Sequence, residues 1–220
     1  MASIHEAARY YPKKELQYCL DGPSVYDKTD PEIIELLNRI PTGARVLDVG
    51  AGDGRYTLLM LEKGLQVTAG DIDEEPLSIL RQKTNTNQLT TKVFNAFEPF
   101  PFPDKSMDVV VCTSLLYPFL EEIIRDFMKA TNQVLRDDGM LIFDLATNRK
   151  RVNRSGEEVP LTDVIQYDSN AGLQTISNTF SGLFVADTIT KNQVESEFHG
   201  QLQHKTFLTR LSVLARKIPS

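Results

Sequence analysis

The stretch "VLDVGAGDGR", residues 46–55, governs the interpretation of the rest of the chain. A short apolar run ends in an aspartate and is followed by glycines at positions 50, 52 and 54. Glycine adopts backbone conformations that other residues avoid, and it lets the backbone approach a ligand that a Cβ would push away. The stretch therefore predicts either a plain tight turn or a ligand-binding loop at the end of a buried strand.

Strand and helix patterns alternate on both sides of this stretch. Residues 29–40 contain capping residues, a proline and apolar residues at helical spacing, which predict an amphipathic helix. Further helices are predicted at residues 55–64, 75–83, 120–135 and 173–182. Strands are predicted at residues 44–50, 66–72, 91–96, 107–114, 140–146, 183–190 and 206–217. We therefore expect an α/β fold: a doubly wound, seven-stranded, mostly parallel sheet with helices on both faces and an antiparallel C-terminal edge strand.

The length of 220 residues, with 41% hydrophobic and 25% charged residues, predicts a single domain over residues 1–220. The polar stretch at 147–160 is expected to be a loop or flap, so residues 147–220 would comprise the flap and closing strands. Residues 29–146 would form the ligand-binding core, and the tyrosine-rich residues 1–28 would form a lid.

Charge and composition restrict the classes of partner. A formal net charge of -6 disfavours nucleic-acid binding, which relies on clustered Lys and Arg. The sequence has no apolar run long enough for a signal peptide or a membrane span, so we expect a cytoplasmic protein without membrane contact. Cys19 and Cys112 lack the spacing of a zinc site, and no metal is predicted. The expected partner is a small-molecule substrate.

The spacing of the glycines distinguishes two kinds of nucleotide site. The pattern G-x-G-x-G continues with Arg55, so the G-x-G-x-x-G signature of dinucleotide binding is not met. Asp71 ends the next strand about twenty residues after Gly52, where related folds place a carboxylate that binds ribose hydroxyls. The pattern therefore predicts a nucleoside-containing ligand other than a dinucleotide.

Taken in order, four motifs resemble those of the class I S-adenosylmethionine-dependent methyltransferases. They are "VLDVGAGDG" (46–54), "VTAGDID" (67–73), "FNAFEPFPFPDKSMDVVVCTSLLY" (94–117) and "LRDDGMLIFDL" (135–145). The resemblance runs from about residue 44 to residue 146 and continues more weakly to the closing "LSVLARK". It implies that the cofactor is S-adenosyl-L-methionine. The positions that would then bind this cofactor are Tyr26, Asp48, Gly50, Ala51, Gly52, Asp71, Ile72, Asn95, Ala96, Cys112 and Leu115.

The resemblance also implies a role for each position. Asp48 and the backbone of residues 50–52 would hold the methionine half of the cofactor, and Asp71 would bind the ribose. Ile72 would lie against the adenine, whose edge residues 95–96 would meet, while residues 112–115 would contact the amino acid portion. Tyr26 would close over the cofactor.

Alternatives stay open for several residues. Asp48 could only cap the turn, and Cys112 could be an ordinary small strand residue. Asp53 and Asp73 are better explained as caps or solvated acids than as ligand contacts. Tyr117 and Phe119 could line the acceptor pocket or belong to the core. The basic run at 147–154 could attract an anionic substrate or be solvated.

The function implied by the resemblance is methyl transfer to an oxygen or nitrogen of a small-molecule metabolite, by a monomer or homodimer. The sequence identifies no general base, and the catalytic residues stay unknown. Two alternatives are a protein or RNA methyltransferase, and a non-catalytic nucleoside-binding partner with the same fold.

Overall fold

The computed structural model of the chain describes residues 29–116, 120–161, 167–195 and 204–219. Residues 1–28, which include Tyr26, lie outside the described residues. The predicted N-terminal lid and the predicted contact of Tyr26 with the cofactor therefore stay predictions. The same holds for Tyr117 and Phe119 as residues of an acceptor pocket.

A single eight-stranded sheet forms the centre of the described structure. Its strands are β1 (Arg45–Val49), β2 (Gln66–Asp71), β3 (Leu89–Val93), β4 (Met107–Cys112), β5 (Leu135–Asn153), β6 (Glu158–Val159), β7 (Phe184–Glu195) and β8 (His204–Lys217). The strand order is β3-β2-β1-β4-β5-β8-β7, and β6 pairs with β5. The strands β1 to β5 run parallel, whereas β8 is antiparallel to both β5 and β7. The strand order changes direction between β1 and β4, and open α/β sheets bind ligands beyond the carboxyl ends of the strands at such a point.

Three helices cover the first face of the sheet: α1 (Pro31–Leu37), α2 (Thr57–Glu62) and α3 (Glu74–Lys83). The apolar side of α1, predicted from its spacing, is buried with α2 against Val46, Val109 and Ile142 of the central strands. Leu77 and Leu80 of α3 pack on β2 in a smaller cluster. Leu80 of α3 also lies next to Gly54 of the glycine loop that follows β1.

The second face is covered by α4 (Glu121–Val134) and α5 (Ser169–Phe180). Beside them, the phenylalanine-rich segment that follows β3 packs on the sheet. The ring of Phe94 lies 5.2 Å from that of Phe100 and 5.4 Å from that of Phe102, both edge-on. Phe100 in turn contacts Phe127 of α4. None of the helices within the described ranges is long and apolar enough to cross a membrane.

The structure corrects the strand prediction at three points. The described sheet has eight strands rather than seven, because the short β6 pairs with the end of β5. Residues 147–153 of the predicted flap continue β5, and their polar side chains suit a part of the strand that is exposed or partly exposed from residue 148 onward. The antiparallel strands lie at one edge of the sheet as expected, but β8 pairs on both sides and the edge strand is β7.

Candidate functional site

The glycine loop that follows β1 has the geometry that its sequence predicts. The backbone amides of Gly50 and Ala51 both donate to the carbonyl of Gly70, at 2.8 and 2.9 Å. The φ angles of Gly50, Gly52 and Gly54 are +74°, +56° and +100°, in the left-handed region that other residues rarely adopt. A Cβ at Gly54 would also overlap a methyl group of Leu80. The glycines are therefore required by the backbone path, and the loop has no side chain at these three positions.

Asp71 ends β2 directly opposite this loop. Its Oδ2 accepts a hydrogen bond from the amide of Gly52 at 2.9 Å, and its Oδ1 accepts one from the amide of Asp73 at 3.1 Å. Burial raises the pKa of Asp71, and these backbone hydrogen bonds oppose the rise. Because each carboxylate oxygen has two lone pairs, both oxygens can accept a further hydrogen bond from a ligand hydroxyl.

Apolar side chains lie on the far side of Asp71. Ile72, which follows β2, is 43% exposed, and Val93, which ends β3, is 45% exposed. These exposed aliphatic groups at the carboxyl edge offer a surface for a flat apolar ring. Asn95 has its side chain engaged in a turn, since its Oδ1 accepts from the amide of Phe97 and its Nδ2 donates to Glu98. Ala96 is partly buried against the core of the second face.

Asp48, the residue before the last of β1, is buried next to the glycine loop. Only 3% of the residue is exposed, and its Oδ2 accepts a hydrogen bond from the hydroxyl of Thr57 at 2.6 Å. Burial raises the pKa of Asp48 to about 6, although the hydrogen bond from Thr57 and the charge of Arg55 lower it. In this conformation Asp48 supports the start of α2 and exposes little of its carboxylate.

The segment after β4 contacts the glycine loop from the other side. A Cβ placed on Gly50 would lie 3.2 Å from Cδ2 of Leu115, so the leucine covers the loop closely. Ser114 has a φ of +58°, unusual for a non-glycine residue, and its amide donates to Oδ1 of Asp144. Cys112 is fully buried in the core of the second face, and burial raises the pKa of its thiol. Its side chain therefore packs in the core.

Several charged residues at this edge were not predicted as site residues. Arg210 of β8 forms ion pairs with Asp144 of β5 and with Asp30, the residue before α1. Asp30 does not cap α1 with its side chain, as its position suggested; instead it accepts a hydrogen bond from the hydroxyl of Tyr56 at 3.0 Å. Arg55 donates to the hydroxyl of Ser114 at 2.8 Å. The sequence signal was present, since Asp144 interrupts the apolar run of residues 140–146 and Arg210 lies between the apolar residues of "FLTRLSVLA" (207–215).

Asp53, in the glycine loop, is buried and paired with a lysine rather than exposed to solvent. It is fully buried, and its Oδ2 lies 2.9 Å from Nζ of Lys83, the last residue of α3. The same ammonium group donates to the backbone carbonyl of Asp53 at 3.2 Å. Asp53 is therefore a buried ion-pair partner rather than a solvated acid, and the pair ties the glycine loop to α3.

The comparison with protein families matches one model, described as a methyltransferase domain, over residues 47–143. This range contains most of β1, all of β2 to β4, the glycine loop, Asp71 and the first part of β5. Among curated proteins, the putative methyltransferase YqeM of Bacillus subtilis is 31% identical over 113 residues. The match covers 50% of this chain and 46% of that protein, so the chain spans less than half of this relative's length.

Solved structures share the fold across most of the chain. An S-adenosylmethionine-dependent methyltransferase from Methanosarcina mazei has a TM-score of 0.64 at 17% identity, with 88% of this chain and 100% of that chain covered. A 1,6-didemethyltoxoflavin-N1-methyltransferase from Burkholderia thailandensis has a TM-score of 0.57 at 19% identity, covering 86% of this chain and 77% of that chain. Residues 47–143 thus match a methyltransferase domain, and most of the chain shares the fold of S-adenosylmethionine-dependent methyltransferases, which supports a class I methyltransferase with S-adenosylmethionine as its cofactor.

Proposed function

We propose that the chain transfers the methyl group of S-adenosylmethionine to an oxygen or nitrogen atom of a small-molecule metabolite. The observation that carries the cofactor part of this proposal is the carboxylate of Asp71. Two backbone amides orient it at the carboxyl end of β2, and its remaining lone pairs suit the two hydroxyls of a ribose.

The residues around Asp71 fit the rest of the cofactor. The exposed side chains of Ile72 and Val93 suit the flat face of an adenine. On the other side of Asp71, the left-handed glycines 50, 52 and 54 have no Cβ, which suits a close approach of the methionine half to the backbone of the loop after β1. Leu115 would then lie next to that half, because it already contacts the loop at Gly50.

Methyl transfer from this cofactor requires few catalytic groups of the protein. The cofactor supplies a methyl group on a positively charged sulfur, and the transfer is an in-line displacement. The protein has to align the acceptor with that carbon and exclude water, and alignment of this kind accounts for a large part of many enzymatic rate accelerations. The acceptor is proposed to lie between the segment after β4 and the extension of β5.

Three observations favour a small acceptor. The net charge of -6 is unfavourable for binding a nucleic acid. Basic residues at the extension of β5 and on the paired strand β8 are partly neutralised in place, since Lys150 of β5 pairs with Glu158 and Lys205 of β8 pairs with Glu195. The fold also serves a small acceptor in the Burkholderia protein, which is named for its methylation of 1,6-didemethyltoxoflavin.

Calorimetry with S-adenosylmethionine and S-adenosylhomocysteine tests the cofactor role of this chain. We expect both to bind the wild-type protein and the Asp126→Asn variant, whose side chain is exposed on α4. Asp71→Asn should weaken both, because the amide cannot accept from two ribose hydroxyls while keeping its backbone contacts. Failure of the folded wild-type protein to bind either ligand would refute the proposal.

A second experiment tests the acceptor. The protein is incubated with methyl-labelled cofactor and a metabolite extract, and the labelled product is isolated. Label in a small molecule supports the proposal, whereas label confined to protein or RNA would favour a macromolecular acceptor. Cofactor binding without any labelled product would favour a non-catalytic nucleoside-binding partner.

A further inference from the structure

A closed ring of contacts joins the segments that surround the methionine side of the site. The ring runs from Asp30 to Arg210, Asp144, Ser114, Arg55 and Tyr56, and returns to Asp30. Its members come from the start of α1, the glycine loop, the segment after β4, and strands β5 and β8. Five separate parts of the chain are thus held at one edge of the sheet.

Arg210 is the residue on which the ring depends. Its side chain is only 9% exposed and lies between two carboxylates that are also buried, Asp144 at 3% and Asp30 at 13%. Its Nε lies 2.9 Å from Oδ2 of Asp144, and its Nη1 contacts Oδ2 of Asp30. Both contacts are ion pairs whose geometry does not meet that of a hydrogen bond. Burial lowers the pKa of Arg210 to about 10. The guanidinium group uses two different nitrogens for the two carboxylates, whereas lysine ends in a single ammonium group and lacks this rigid fork of donors.

The ring holds two groups next to the glycine loop. On one side, Asp144 accepts from the amide of Ser114 and so maintains the left-handed conformation that directs Leu115 onto Gly50. On the other side, Asp30 fixes the hydroxyl of Tyr56, and the ring of Tyr56 lies 4.7 Å from the guanidinium carbon of Arg55.

We propose that Arg210 is a positioning residue for methyl transfer: through Asp144 and Asp30 it sets the segment after β4 and the Arg55 side chain against the methionine half of the cofactor. This inference rests on the proposed function. It assigns no contact between Arg210 and the cofactor, because the side chain acts through its two carboxylate partners.

The adenosine half of the site lies outside the ring. The hydrogen bonds to the Asp71 side chain come from Gly52 and Asp73, neither of which belongs to the ring. A disturbed ring should therefore weaken ligands that contain the amino acid portion and leave ligands without that portion unaffected. A role in folding alone would affect both kinds of ligand equally.

The test compares two ligands by calorimetry. S-adenosylhomocysteine contains the amino acid portion, whereas 5′-methylthioadenosine has the same adenosine and sulfur without it. We expect Arg210→Lys to weaken S-adenosylhomocysteine by about tenfold, which corresponds to ~1.4 kcal/mol, and to leave 5′-methylthioadenosine within about twofold of wild type. The matched control is Arg216→Lys, also on β8 and paired with an aspartate, Asp187, but 53% exposed. It should change neither affinity.

Equal weakening of the two ligands, or no weakening of either, would overturn the inference. If Arg210→Lys does not melt cooperatively, Asp30→Asn provides the same test, since the asparagine still accepts from Tyr56 while its charge is lost. The same selective loss is expected for Asp30→Asn, and its absence would overturn the inference too. If the wild-type protein binds S-adenosylhomocysteine but the variants show no selective loss, only the role of Arg210 is refuted. If the wild-type protein binds neither ligand, the proposed function is refuted.

Discussion

Removal of the ammonium group of Lys83 should destabilise the chain strongly, because it leaves a buried carboxylate without its cation. The side chains of Lys83 and Asp53 are 5% and 0% exposed, and Nζ lies 2.9 Å from Oδ2. Lys83→Met removes this charge and keeps most of the side-chain volume. Breaking a buried pair in this way typically costs about 3–5 kcal/mol. Total stabilities of proteins are about 5–15 kcal/mol, so the variant should fold but unfold at much lower urea concentration.

Urea denaturation followed by circular dichroism measures this cost, and a double variant identifies its origin. Asp53→Asn combined with Lys83→Met removes both charges, so it should recover a large part of the loss, about 1–3 kcal/mol. The control is Lys129→Met on α4, where an ion pair of the same 2.9 Å length is 61% and 65% exposed. Exposed pairs contribute little, and no measurable change is expected there.

The position of the pair in the glycine loop adds a functional consequence. Asp53 lies between Gly52 and Gly54, so a shift of its buried carboxylate displaces the loop that is proposed to contact the methionine half. Lys83→Met should therefore also weaken S-adenosylhomocysteine. If Lys83→Met is no less stable than Lys129→Met, the carboxylate of Asp53 has found water or another donor, and the argument from desolvation is wrong.

Three further predictions concern single residues at the same edge of the sheet. Asp71→Ala should weaken cofactor binding by about 1.5–3 kcal/mol, the range for hydrogen bonds to a charged group, and unchanged affinity in calorimetry would refute the ribose role. Gly70→Ala should cost about 1–3 kcal/mol in urea denaturation, because the new Cβ would overlap the ring of Phe94; a neutral result would mean that the ring moves freely. The third is Asp48→Asn. Burial raises the pKa of Asp48 to about 6, so the protonated carboxyl group stabilises the folded state at low pH, and this stabilisation is lost as the pH rises from the unfolded pKa to about 6. The variant should be more stable than wild type by about 1–3 kcal/mol near pH 8, and its stability should no longer depend on pH between about 4 and 6. A wild-type protein that is equally stable at about pH 4 and near pH 8 would contradict the raised pKa.

The alternation of strands and helices could be predicted because it depends on local patterns. The apolar spacing of α1, the glycines after β1 and the runs of β1 and β4 are each contained within a few consecutive residues. The position of Asp71 at the end of β2, opposite Gly52, could be predicted for the same reason, since one strand–helix–strand unit separates the two residues along the chain. Its contact with a ribose stays a prediction.

The extension of β5 could not be predicted in this way. Its polar residues resemble a loop, and the segment is a strand because it pairs with β8 from Lys150 to Asn153 and with the short β6. The ring around Arg210 could not be predicted either, because Asp30 and Arg210 come from opposite ends of the described chain. A charged residue in an apolar strand indicates that a partner exists, but the sequence alone does not identify the partner.

The distribution of aspartates along the strands indicates what the carboxyl edge is for. In β1 and β4 the buried positions of the amino-terminal half are apolar, as at Val46 and Val109. Asp48 and Asp71, by contrast, lie at or next to the carboxyl ends of their strands, and Asp144 follows the residue of β5 that pairs with the last residue of β4. Burial raises the pKa of all three carboxyl groups, so each opposes folding at neutral pH. Stability alone would favour apolar residues at these positions. Charges that are retained at a cost, all at the edge where this fold binds ligands, are better explained by the ligand and by the loops that surround it.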